Sequence, residues 1–333
     1  MTPTRRRAAL SWLLAAHVVQ ACASQAVPTA PPSTSAVPAA PPASATPVAG
    51  GAIPPAELSG RIVWSTETDS RSSADVYTAS VRDGAVEAVT RLTSGAGEEF
   101  DGDLSPDGRR IVFRVNPDRA SDHADLWSVG IAGGAAHNLT GDPALDNWSP
   151  AWSPDSARIA FASVRAGSTL SVWTMASDGR DHRRVTRDHG EYPDWSPDGR
   201  ELVYAAPPGG SGEYDLWRIA ADGSGEPFRI TTSPATDFAP AWSPDGRWIA
   251  YQTDTGSRWE LWIVQPDGSA AHRVSPSGAD GVWAAWTPTG LLAWSGPAGI
   301  SVLDVDDGRT ATIRMPGAGG PEFLSWGRLA PGS

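Results

Sequence analysis

Beyond residue 60, apolar and polar positions alternate over four to six residues at a time, and Asp-Gly or Pro-Asp-Gly closes many of the runs. Period-two alternation between such turn residues predicts short strands joined by tight hairpins. Proline presets the first turn dihedral, and glycine accepts the positive backbone angle that ends the turn. The 35 Gly and 30 Pro argue in the same direction, against long helices.

The pattern itself recurs every 43 to 48 residues. A turn opens each unit: Leu104-Ser105-Pro106-Asp107-Gly108, Trp152-Ser153-Pro154-Asp155, Trp195-Ser196-Pro197-Asp198-Gly199, Trp242-Ser243-Pro244-Asp245-Gly246 and Trp286-Thr287-Pro288. An apolar strand follows, such as Ile111-Val112-Phe113 or Ile159-Ala160-Phe161, then a segment ending in Leu-Trp or Val-Trp, as at Asp125-Leu126-Trp127. The fourth segment ends in Leu139-Thr140, Val185-Thr186, Ile230-Thr231 or Val274-Ser275. Each unit therefore reads as four antiparallel strands. Such a sheet cannot cover both its faces alone, so units must stack, and closing them into a ring removes the exposed ends.

The ends of the chain set the count. Arg61-Ile62-Val63-Trp64, Asp75-Val76-Tyr77 and Arg91-Leu92-Thr93 supply the second, third and fourth strands of a unit that lacks its first. Phe323-Leu324-Ser325-Trp326, near the C-terminus, matches the missing strand. The expected fold is all-β: a six-bladed β-propeller of four-stranded antiparallel blades, closed by pairing of the C-terminal strand with the N-terminal blade. Pro106, Asp107, Trp152, Pro154, Trp195, Pro197, Trp242, Pro244, Trp286 and Trp326 are its structural repeat positions.

This series of Trp-Ser-Pro-Asp-Gly, aliphatic-Ala-Phe, Leu-Trp and Leu-Thr segments resembles the repeats of the TolB-like six-bladed propeller family over residues 60–327. The resemblance implies a binding scaffold and leaves the ligand open. Family members of the Tol-Pal system carry a sizeable α/β domain ahead of the propeller, whereas here a linker precedes it.

That linker, residues 23–56, is dominated by Pro, Ala, Ser and Thr and holds no charge. It is expected to be a disordered spacer, with the propeller over 57–333. Residues 1–22 read as a signal peptide: Arg5, Arg6 and Arg7, an apolar run over 8–19, then small residues. Val19-Gln20-Ala21-Cys22 resembles a bacterial lipobox, which implies a lipid on Cys22; ordinary cleavage beside Ala21 or Ala23 would leave a free thiol instead. Ala23 and Ser24 lack the Asp of inner-membrane retention, so the expected location is the periplasmic face of the outer membrane.

Composition removes whole classes of chemistry. There is no Lys, which excludes a Schiff base and a phosphate-loop lysine. The single cysteine excludes an intramolecular disulfide, a Cys-x-x-Cys pair and a thiolate zinc site. A net charge of -12 makes nucleic acid a poor partner. No Gly-x-Ser-x-Gly elbow or His-Glu-x-x-His occurs. Asp304-Val305-Asp306-Asp307-Gly308 lacks full calcium-loop spacing and reads as a tight turn. No cofactor is expected. Some peptidases carry a similar propeller as a gate, but only a short tail follows Trp326, so no hydrolase segment is expected.

Strand parity places the uniform Ser-Pro-Asp-Gly and Asp-Gly turns on one face. The variable loops at 116–124, 165–169, 207–214 and 254–259 fall on the other, where binding is expected. On that side a polar-then-aromatic pair precedes the inner strands: Glu99-Phe100, Asn147-Trp148, Glu191-Tyr192, Asp237-Phe238 and Glu322-Phe323. These pairs either ring a channel mouth, offering carboxylates to cations and aromatic faces to arginine or sugar rings, or serve as caps and inter-blade wedges. The favoured reading is a monomeric, lipid-anchored, non-enzymatic envelope scaffold that engages a protein, peptide or glycan through the variable face. The alternative is a propeller enzyme, a lyase or hydrolase, using carboxylates or a metal at the mouth; no His occupies the inner-strand positions.

Overall fold

The computed structural model describes residues 51–329 apart from 68–73, 96, 118–122, 143–144, 166–168, 211, 276–282, 297–298 and 317–321. Cys22, the expected signal segment and residues 23–50 of the linker lie outside the described residues.

Six four-stranded antiparallel sheets follow one another along the chain. Their inner strands are Glu322–Gly327 for blade one, then Glu98–Leu104, Asp146–Trp152, Glu191–Trp195, Thr236–Trp242 and Ala284–Trp286 for blades two to six. Each inner strand packs on the next around the ring, and the strand of blade six packs on that of blade one. Closure is as the repeat pattern predicts. The C-terminal strand lies antiparallel to Gly60–Glu67, in register at Arg61↔Gly327, Ile62↔Trp326 and Val63↔Ser325.

The repeated motif is explained by local hydrogen bonding. In the Ser-Pro-Asp-Gly turns, the Oγ of Ser105, Ser153, Ser196 and Ser243 donates to the following Asp carboxylate at 2.6–2.7 Å. That carboxylate also accepts a backbone N–H two residues on. The Ser153 and Ser196 hydroxyls hold the Asp155 and Asp198 carboxyls below their ordinary values.

A second device explains the Leu-Thr endings. The N–H groups of Val76, Leu126, Val172, Leu216 and Leu261 donate to the hydroxyls of Thr93, Thr140, Thr186, Thr231 and Ser275 at 2.9–3.1 Å. The fourth strand is only two residues long in blades two to five, so this side-chain bond continues a ladder that the backbone ends early.

Packing between blades follows the same period. Trp195 donates its indole N–H to Ala151 O and Trp286 donates to Ala241 O, each reaching the preceding blade. The core is correspondingly seam-like: Ala160, Val172 and Val185 of blade three meet Trp195, Leu202 and Tyr204 of blade four. The Asp-Gly turns need glycine twice over. Gly223 has φ +76°, and a Cβ there would lie 2.9 Å from Val185 O of the preceding blade.

The docked chain begins earlier than its composition suggests. Ala52, within the expected linker, forms a parallel bridge with Thr310 on the outer strand of blade six. Ile53 N donates to Thr310 O at 3.0 Å, and Thr310 N donates to Gly51 O at 3.2 Å. Ile53 and Leu58 are buried in the blade-one and blade-six core, and Gly84 N donates to Leu58 O. The seam between blades one and six is therefore fastened inside by strand 322–327 and outside by residues 51–58. Asp304–Gly308 forms the expected turn, tied by Arg309 to Asp304, Asp307 and Glu57.

Candidate functional site

The polar-aromatic pairs divide between two environments. Glu99, Asn147, Glu191 and Asp237 are 4, 0, 2 and 1% exposed, so these groups turn away from the axis into the blades and the seams between them. Glu99 accepts from the Thr93 hydroxyl, and Asp237 accepts from Thr253 and Ser233. Asn147 donates to Ala124 O and accepts from Ser163. Burial pushes the Glu99 carboxyl up to about 7, with nearby Asp75 adding to it. Burial pushes Asp237 up to about 6 against the pull of its hydroxyl partners. The side chain of Glu322 lies outside the described residues, while its backbone pairs with Ser65.

The aromatics converge instead. Phe100, Phe323, Trp283, Tyr192 and Phe238 come from blades two, one, six, four and five. Their consecutive ring centroids lie 5.8, 4.4, 5.8 and 4.3 Å apart. Blades four and six are not neighbours, so the Tyr192–Trp283 contact reaches across the axial mouth on the variable-loop side.

One residue of spacing separates the aromatics into two sets. Phe100, Trp148 and Phe238 stand four positions before the last residue of the inner-strand motif, at Leu104, Trp152 and Trp242, and all three are buried. Tyr192, Trp283 and Phe323 stand three positions before Trp195, Trp286 and Trp326, and all three are partly exposed. A bulge produces the difference. Asp101, Ser149, Tyr192, Ala239 and Phe323 all hold left-handed backbone angles, with φ between +48° and +53°. In the longer strands the residue after the aromatic takes that conformation, and in blades one and four the aromatic takes it and is aimed at the axis. Sequence reasoning missed Trp283 because Val282, apolar, precedes it and breaks the polar-aromatic pattern.

Below the rings, Asp103 and Asp194 edge the axial space. Asp103 accepts from Trp152 N at 2.8 Å and from Ser325 Oγ at 2.8 Å; Asp194 accepts from Trp242 N at 2.6 Å. Burial raises Asp103 to about 6 and Asp194 to about 7, the latter helped by the charge of Asp103. At the equivalent positions the other blades carry Ala151, Ala241, Ala285 and Ser325.

A histidine does join the mouth, two residues ahead of the inner strand of blade four. His189 Nε2 lies 3.1 Å from Glu191 Oε1 and 2.9 Å from Tyr214 Oη, and Tyr214 donates to the same Glu191 oxygen at 2.7 Å. Its proximity was hidden because Tyr214 arrives from the 207–214 loop. Among the described residues, no group of three or more His, Cys, Asp and Glu is placed to hold a metal ion.

A family model described as the TolB beta propeller domain matches residues 59–206 and 148–300. An uncharacterized protein of Agrobacterium fabrum is 32% identical over 142 residues, which is 39% of this chain and 46% of that protein. The Tol-Pal system protein TolB of Anaeromyxobacter dehalogenans is 36% identical over 93 residues, 28% of this chain and 20% of TolB. The matched region thus spans less than half of either relative. Among solved structures, TolB from Acinetobacter baumannii superposes with a TM-score of 0.67 at 18% identity, covering 80% of this chain and 66% of that one. An oligogalacturonate lyase from Vibrio parahaemolyticus gives a TM-score of 0.54 at 14% identity, covering 79% and 76%. Binding proteins and enzymes therefore share this fold, and function rests with the site.

Proposed function

The chain belongs to the TolB beta propeller domain family, and from that premise we propose that it is a non-enzymatic binding scaffold of the bacterial cell envelope. It engages a protein, peptide or glycan through the variable-loop face, and a lipid on Cys22 holds it to the periplasmic side of a membrane. The observation that supports this most is the asymmetry of the two faces. Hydrogen bonds within four short, uniform turns tie up the repeated Ser and Asp side chains of one face. The opposite face gathers three partly exposed aromatic rings at the axis. Likeness to TolB of the Tol-Pal system favours a protein or peptide partner in the periplasm.

The test is photo-crosslinking in intact cells. A photoreactive residue at exposed Glu213, in the 207–214 loop, is expected to capture a partner, while one at exposed Asp178, in a turn of the opposite face, is not. Capture from Asp178 alone would reverse the face assignment. Cys22→Ser is expected to shift the protein from the membrane to the soluble envelope fraction.

The second reading, a lyase or hydrolase, draws on the His189–Glu191–Tyr214 cluster, since a carboxylate-oriented imidazole is suited to general acid-base work. It predicts turnover of oligogalacturonate or another polysaccharide that is lost in His189→Ala.

A further inference from the structure

Three of the mouth rings form a tilted stack. Tyr192 and Trp283 lie at 30° to one another and Trp283 and Phe323 at 32°, each pair less than 6 Å between centroids. These are the partly exposed rings, set over the axis by the shorter inner-strand spacing. Roughly two strand residues deeper, about 7 Å along the axis, stand Asp194 and Asp103. The groups that act on them are backbone N–H donors, the Ser325 hydroxyl and, for Asp194, the like charge of Asp103; among the described residues no Arg contributes. Elsewhere in the propeller, buried Asp215 pairs with Arg229 and buried Asp75 with Arg91. The axial pair is thus a local excess of negative potential, in a chain of net charge -12, beneath aromatic faces whose quadrupole is also negative outward. Among the described residues, Arg114 lies beside the mouth, where its charge acts on Tyr192; it is buried and its Nε donates to Asn116 Oδ1 at 2.7 Å.

We infer that the Tyr192–Trp283–Phe323 stack, backed by Asp103 and Asp194, is a subsite for a cationic side chain, an arginine or lysine presented by a peptide segment of the partner. This deepens the scaffold reading and depends on it. Ring faces attract a guanidinium, and the recessed carboxylates supply the field that distinguishes a charged side chain from a neutral one of the same shape. A sugar ring could stack on the same aromatics, but it would gain nothing from the two recessed charges.

The experiment uses the full chain with 5-fluorotryptophan incorporated, the Trp283 fluorine resonance being assigned by its loss in Trp283→Phe. The probes are acetyl-Gly-Arg-Gly-amide, the same peptide with citrulline in place of arginine, and chitotriose. The arginine peptide is expected to shift the Trp283 resonance saturably, with the citrulline peptide about tenfold weaker, as loss of a desolvated cation–π contact requires. Asp194→Asn is expected to weaken the arginine peptide several-fold without changing the citrulline affinity. Binding at a pH near 7 is also expected to release protons, because a bound cation favours the ionised carboxylates. Equal affinity for the two peptides, a response to chitotriose alone, or no saturable shift with any probe overturns the inference. If the Glu213 crosslink persists under any of those outcomes, the scaffold reading stands and the cation subsite does not. Loss of the Glu213 crosslink in the parent protein removes the scaffold reading itself.

Discussion

Asp103, on the inner strand of blade two, accepts the hydroxyl proton of Ser325, on the C-terminal strand, at 2.8 Å. Its other oxygen accepts Trp152 N of blade three, so one carboxylate ties three consecutive blades at the point where the ring closes. Asp103→Ala leaves a backbone N–H without its acceptor and is expected to cost about 1–3 kcal/mol. Ser325→Ala removes only the hydroxyl and is expected to cost about 1 kcal/mol. Urea denaturation of the two variants checks the order, and a Ser325→Ala loss exceeding that of Asp103→Ala would contradict it.

Four desolvated carboxylates make a definite statement about pH. Glu99 and Asp194 sit at about 7, Asp103 and Asp237 at about 6. These values lie above the ordinary carboxylate range near 4, so the native state holds more protons than the unfolded state between about pH 4 and 7. Stability therefore falls as pH rises through that window. Below about pH 4 the turn aspartates Asp155 and Asp198, whose folded values are depressed, protonate and give up their stabilising bonds. The expected maximum lies at about pH 4–5. Urea midpoints at constant ionic strength check it: a higher midpoint at pH 8 than at pH 5 is incompatible with this account, and Asp194→Asn should flatten the dependence.

The hydroxyl that ends each fourth strand carries its own prediction. Thr186 is buried and accepts Val172 N at 2.9 Å. Thr186→Val keeps the shape and removes the acceptor, at an expected cost of about 1–3 kcal/mol, whereas Thr186→Ser retains the bond and should lose less. Hydrogen exchange at Val172 separates the two, and equal protection in both variants would show that the bond contributes nothing.

The outer fastening of the ring is testable at Leu58. This side chain is buried between blades one and six. Leu58→Ala is expected to destabilise by about 2–5 kcal/mol, as truncations of buried leucine do. A loss below about 1 kcal/mol, measured by urea unfolding, would mean that residues 51–58 merely lie on the surface.

Much of the molecule is legible along the chain. Ser153-Pro154-Asp155 encodes its turn through bonds among near neighbours, and the alternation in Ile159-Ala160-Phe161 encodes its strand. The hybrid first blade follows from counting segments at the two ends, since a ring leaves Phe323–Trp326 no other partner. The site was legible only in part. The pairs at Glu99-Phe100 and Glu191-Tyr192 mark the correct end of the inner strands, yet nothing local shows that the acid turns inward while the ring moves toward the axis. The docking of Ala52 and Ile53 was hidden in a segment of linker composition.

The sequence by itself determined strands, turns, blade number and the manner of closure, because backbone dihedral preference and period-two burial act over a few residues and then repeat. Only the tertiary structure decided that Tyr192 meets Trp283 across the mouth, that Asp103 and Asp194 share the axial space, and that His189 meets Tyr214 beside Glu191. Those relationships join residues from different blades or loops, and their geometry is set by a bulge and by the curvature of the ring, which no single repeat contains.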